Sequence, residues 1–148
     1  MKNLVIAFTV ILFSACNAGK DSKTKDNQAD KSVASSVSYE ILKQEEYGGR
    51  ETESNIVVKT QAELNSLYSE LGFGTAPVVD FSKQSVVVLF MGQKNSGGYS
   101  IGIENVTDDG KSVTVSIKKK SPEGMATMAL SQPYCIASIT TAKPINFK

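Results

Sequence analysis

Few residues of this 148-residue chain could carry out chemistry, and they stand apart from one another. Histidine is absent, which removes the usual general base, the usual metal ligand and the partner that a nucleophilic Ser or Cys requires. Cys135 sits in the apolar run Tyr134-Cys135-Ile136-Ala137, where a thiol behaves as a small, inert hydrophobe. Asp80 and Glu104 could act as paired carboxylates, but nothing in their spacing brings them together, and Asp80 follows Pro77 as a turn residue would. Asp108-Asp109 precede Gly110 and read as a tight turn rather than a cation site. Lys118-Lys119-Lys120 read as a solvated strand edge rather than a phosphate patch. The expectation is a chain with no catalytic residues, no metal ligands and no cofactor.

One stretch does suit recognition. Val86 to Met91 (VVVLFM) is an uninterrupted β-branched and apolar run, the pattern of a strand buried on both faces. Gly92 to Gly98 then turns polar and rich in turn formers, and Tyr99 to Val106 alternates like a half-buried strand. The expected arrangement is a hairpin that presents its loop from a rigid base. Lys94, Asn95, Ser96, Gly97, Gly98 and Tyr99 form the candidate partner-binding loop, with glycines for close backbone approach and Tyr99 as a flat amphipathic contact.

The elements that would position this loop follow from periodicity. Val37 to Glu46 and Asn55 to Lys59 read as strands, separated by a turn at Tyr47-Gly48-Gly49-Arg50. Thr60 and Glu63 have capping-box spacing, and behind them Leu64, Leu67, Tyr68 and Leu71 form one helical stripe that ends at Gly72. Val79 and Phe81 drop onto the domain before the strand that opens at Ser85. Asp109-Gly110 joins two further strands. Val113, Val115 and Ile117 alternate inward along the second of these, and Tyr134 to Thr141 closes the domain after a longer loop from Ser121 to Pro133. The fold class is α+β: a mainly antiparallel β-sheet or sandwich of about six strands, with one α-helix between strands two and three.

The N-terminus reads as an address. Lys2 and about ten apolar residues from Leu4 to Phe13 have signal-peptide length, short of the roughly 20 residues a membrane span needs. Phe13-Ser14-Ala15-Cys16 is similar to a bacterial lipobox, departing from it only in Phe13 where Leu is commoner. The resemblance implies that Cys16 is lipidated and anchors the chain to a lipid bilayer, and it leaves Cys135 unpaired. Residues 1–15 would be the lipoprotein signal peptide, 16–37 the lipidated N-terminus and flexible tether, and 38–148 the β-rich domain. Asn17 after the cysteine is not the aspartate that signals inner-membrane retention, which points to the outer membrane of a Gram-negative envelope. The 16 basic and 15 acidic residues leave a net charge of +1. Removal of Lys2 with the signal brings this to zero, so no nucleic-acid partner is expected.

Taken in order, Tyr47-Gly48-Gly49, the capped helix, Val79-Asp80-Phe81, Val87 to Gly92, Gly97 to Ile101 and Pro133-Tyr134 resemble the C-terminal domain of the protease complex subunit PrcB family, over roughly residues 39 to 141. The resemblance implies an accessory, non-catalytic subunit that associates with a secreted or surface protease, and it offers no catalytic residues to carry over. Where the family often has tryptophan in the helix, this chain has Leu67 and Tyr68. Two other readings are a chagasin-like protease inhibitor, to which Gly98-Tyr99 is similar although its proline and threonines are missing, and a structural envelope lipoprotein with no protease link.

Overall fold

The computed structural model describes residues 34–148. Cys16, the signal segment 1–15 and most of the tether lie outside the described residues. In chain order the elements are β1 (Ser35–Ser36), β2 (Tyr39–Glu45), β3 (Ser54–Val58), α1 (Gln61–Glu70), β4 (Ser85–Phe90), β5 (Ser100–Asp108), β6 (Val113–Lys120), β7 (Tyr134–Ile139) and β8 (Ile145–Phe147). They build three layers. Helix α1 packs on a sheet of order β2-β7-β4-β3, whose other face packs on a sheet of order β1-β5-β6-β8. The class is α+β and sandwich-like, as expected, with the helix following β3.

The central sheet explains the apolar runs. Every residue of β4 and of β7 is buried. Val86, Val88 and Phe90 face the helix with Leu64, Leu67, Tyr68 and Ile136. Val87 and Leu89 face the second sheet, among Val106, Val113, Val115, Ile101 and Cys135. A strand with apolar layers on both sides cannot alternate, so VVVLF reads as a continuous block.

Helix α1 begins and ends as its residues dictate. The Thr60 hydroxyl accepts the Glu63 N–H at 3.2 Å, and the Glu63 carboxylate reaches back to the Lys59 N–H at 2.9 Å. At the other end Gly72 takes φ +68°, the Gly72 N–H meets the Ser69 carbonyl at 3.3 Å and the Phe73 N–H meets the Tyr68 carbonyl at 2.9 Å. That is a Schellman closure, and its hydrophobic contact is the Phe73 ring set edge-on to Tyr68 at 5.8 Å.

Three expectations are corrected. Val86–Met91 and Tyr99–Val106 do not form a hairpin: β4 pairs with β3 and β7, and β5 pairs with β1 and β6 in the other sheet. The glycine-rich loop is therefore a crossover between layers, because a strand already flanked on both edges has no room for its successor. The strand at Tyr134 does not close the domain, since β8 follows and runs parallel to β6 with Val113 beside Ile145. The six expected strands are all present as β2 to β7, and two short edge strands, β1 and β8, join them. Pairing of Ser35 with Asp108 and Ser36 with Thr107 also starts within the stretch read as tether. In β2 Leu42 packs on the helix-side core while Tyr39 and Ile41, on the other face, stay exposed, and a register shift after Ile41 brings Lys43 to the helix side as well, 5.4 Å from the Phe73 ring.

Candidate partner-binding surface

The crossover from β4 to β5 lies against the loop 121–133, and the Tyr47-Gly48-Gly49 turn lies beside both. Lys94 and Ser131 exchange two backbone hydrogen bonds, at 2.8 and 3.0 Å, and the Ser131 hydroxyl donates to the Ser96 carbonyl at 2.7 Å. The Gly97 N–H donates to the Thr127 carbonyl at 3.0 Å. Gln132 links the turn, donating its N–H to the Glu46 carbonyl at 3.1 Å and accepting the Gly49 N–H at 3.0 Å. The Glu46 carboxylate is 3.4 Å from the Gly98 N–H. Three segments distant in sequence are thus laced into one end of the sandwich.

The glycines of this loop are needed for contact. A Cβ at Gly97 would stand 2.5 Å from the Thr127 hydroxyl and 3.0 Å from that of Tyr47. Gly98 has φ +83°, and a Cβ there would meet Pro122 at 2.9 Å. Of the six residues singled out in the sequence, Gly97 is buried, Lys94, Ser96 and Tyr99 are half-buried, and Asn95 and Gly98 are exposed. Tyr99 packs beside Leu89, Met91, Ile101 and Cys135, so much of its ring is inside the domain.

The apolar exposure comes from residues that the sequence did not flag. Tyr47, Met125, Met128 and Leu130 are all exposed, the two methionines fully. Met125 and Tyr47 line a cleft of about 640 Å³ together with Glu46, Gly97, Gly98 and Lys120. A signal was present in the sequence: three large apolar side chains without periodicity in a loop of Ser, Pro, Gly and Ala have no buried face to serve. Flexible methionines on a surface suit adaptable protein contacts.

The remaining candidates are placed elsewhere. Cys135 is fully buried, and burial pushes its thiol up to about 11, far from the thiolate that chemistry needs. The Asp80 carboxylate accepts from the Ser82 hydroxyl at 2.5 Å and the Ser82 N–H at 3.1 Å, and those two bonds hold it below its ordinary range. Glu104 pairs with Lys118 at 3.8 Å. Asp109 accepts the Lys111 and Ser112 N–H groups at 2.8 and 2.7 Å, which makes Asp108-Asp109 the turn between β5 and β6. The Lys118 to Lys120 side chains are exposed on β6 beyond its last pairing with β8. Among the described residues no group of three or more His, Cys, Asp or Glu could hold a metal ion. Nor is any helix among them long and apolar enough to cross a membrane.

Comparison with known families bears on this same end of the molecule. Residues 85–140 match the family model PrcB C-terminal. The matched PrcB segment runs from the start of β4 through β7, so it contains the crossover 92–99, the loop 121–133 and the doubly buried strands that hold them. Tyr47-Gly48-Gly49 and α1 precede it. No curated protein and no solved structure matches the chain.

Proposed function

We propose that this chain is a lipid-anchored accessory subunit that binds an envelope or secreted protease and has no catalytic role of its own. Acylated Cys16 holds it to the membrane, the outer one in a Gram-negative cell, and the tether between Cys16 and β1 lets the domain reach its partner. The PrcB C-terminal match over residues 85–140 supports the protease association. The observation that carries the reading is the exposed apolar set Tyr47, Met125, Met128 and Leu130 beside the Gly97-Gly98 backbone at one end of the sandwich. Tyrosine is enriched among the residues that dominate contact free energy, and surface methionines adapt their shape to a partner. Buried Cys135 and the absence of histidine argue for a binding role over a hydrolytic one.

The test is recovery of the tagged full chain from its own cells in mild detergent, with proteolytic activity assayed in the eluate. Protease activity should co-purify with the unaltered chain and be lost with Met125→Glu/Met128→Glu. Cys16→Ser should abolish fatty-acid labelling and membrane retention. Protease recovery that the methionine variant leaves unchanged would place the contact on another face.

A further inference from the structure

The two sheets end in outer strands, and all but one are protected against pairing. β2 carries Glu40, Lys43 and Glu45 and a register shift after Ile41. β1 and β8 are two and three residues long. Where β8 stops, β6 continues into exposed Lys118 to Lys120. Charge, bulging and brevity are the devices that keep a sheet edge from recruiting another strand. β3 has none of them. Ser54-Asn55-Ile56-Val57-Val58 is uncharged, half of it β-branched or more, and in unbroken register with β4 from Ser54–Phe90 to Val58–Val86. Its other side has no strand among the described residues. A groove of about 450 Å³ runs along that side under α1, lined by Ile56, Val58, Ala62 and Leu67 and also by Glu63 and the Arg50–Glu70 ion pair.

We propose that β3 is a dimerisation edge onto which a second copy of this chain adds its own β3, antiparallel, to make one continuous sheet. The residues favour a copy over a foreign strand because the edge complements itself. A two-fold axis perpendicular to the sheet makes the pairing symmetric about one residue, and only Ile56 at the centre engages all of Ser54 to Val58. That register sets Asn55 opposite the partner's Val57 and Ser54 opposite the partner's Val58. One step further, Glu53 meets the partner's Lys59, and by symmetry the pair forms twice. Lys59 is exposed and makes no ion pair among the described residues, whereas Glu53 takes Lys119 at 2.5 Å with one oxygen and has its other oxygen free of ion pairs. Side chains of equal parity share a face, so the added Ile56 and Val58 point to the α1 side, as their counterparts do, and meet Ile56, Val58 and Leu67 in that groove. The inference is independent of the protease reading, which uses the opposite kind of feature: exposed loops, not a strand edge.

The experiment is sedimentation of the full chain carrying Cys16→Ser, in a mild non-ionic detergent, over a concentration series. The expected result is a monomer–dimer equilibrium. Lys59→Glu sets carboxylates against each other and should weaken the dimer at least about tenfold. Adding Glu53→Lys to it should restore association. Asn55→Lys, at an exposed edge position, should abolish it, and Glu40→Lys on the guarded β2 edge should leave it unchanged. Far-ultraviolet circular dichroism checks that each exposed-site variant is folded. A chain that is monomeric at every concentration, or a dimer that both Lys59→Glu and Asn55→Lys leave unchanged, overturns the proposal.

Discussion

Gly97 and Thr127 leave no room for a side chain between them: the Gly97 N–H donates to the Thr127 carbonyl at 3.0 Å, and the space a Gly97 Cβ would need is 2.5 Å from the Thr127 hydroxyl. This contact fastens the crossover between the sheets to the methionine-bearing loop. Gly97→Ala should therefore cost about 1 to 3 kcal/mol by overpacking. Thr127→Ala in the same chain should recover part of that loss, since the Thr127 Cβ itself is 3.9 Å away. Urea unfolding of the two single variants and the double variant measures the coupling.

Phe73 joins the helix closure to the core, stacked on Tyr134 at 4.7 Å and edge-on to Tyr68 at 5.8 Å. Phe73→Ala should destabilise the domain by about 3 kcal/mol. Phe73→Leu, which keeps most of the apolar area, should lose less. Thermal unfolding followed by near-ultraviolet circular dichroism reports both the stability and the loss of ring packing.

The α1 cap gives a smaller, separable effect. Thr60→Ala removes the acceptor for the Glu63 N–H and should cost about 1 kcal/mol, while Thr60→Ser should be nearly neutral. The midpoint of denaturant unfolding should shift with no change in its slope.

Stability should have a broad plateau with two flanks. The carboxyls of Glu53, Glu63, Asp80, Asp108 and Asp109 are all held below their ordinary values, chiefly by hydrogen bonds from Lys119, the Lys59 N–H, Ser82, Lys143 and the Ser112 N–H respectively. A folded-state pKa below the unfolded one stabilises above the unfolded value, so this contribution is present at neutral pH and fades below about pH 4. Burial pushes Cys135 up to about 11 and Tyr134 up to about 12. A raised acid pKa works in the opposite direction: stability holds below the unfolded values and falls as pH rises through about 9 to 12. With no histidine in the chain, the melting temperature between pH 5 and 8 should be nearly flat. Differential scanning calorimetry across pH tests the shape, and Asp108→Asn should shrink the acid flank.

The Cys135 thiol should react with a thiol-specific chromogenic reagent only on unfolding, because it is fully buried between the two sheets. In the Cys16→Ser chain the native protein should give a slow trace, and denaturant should release one thiol per chain. Fast labelling of the native protein would mean that the β4–β7 core opens readily.

The sequence by itself determined the elements whose signal is local. The capped helix is legible because Thr60, Glu63, Gly72 and the Leu64-Leu67-Tyr68-Leu71 stripe all act within one helix. The β5–β6 hairpin is legible because Asp109-Gly110-Lys111 closes on itself. The double burial of Val86 to Phe90 follows from its uninterrupted apolar character. What decides the functional end is not local. Whether the strand after β4 turns back on it or crosses to another layer depends on whether β3 and β7 already occupy both edges of β4, and no residue near Gly92 encodes that. The same pairing bends the 92–99 loop against Thr127 and Ser131, draws Tyr99 inward and leaves Tyr47, Met125 and Met128 outside. Strand order and long-range lacing are sums of many weak pairings far apart in the chain, so only the tertiary structure resolves them.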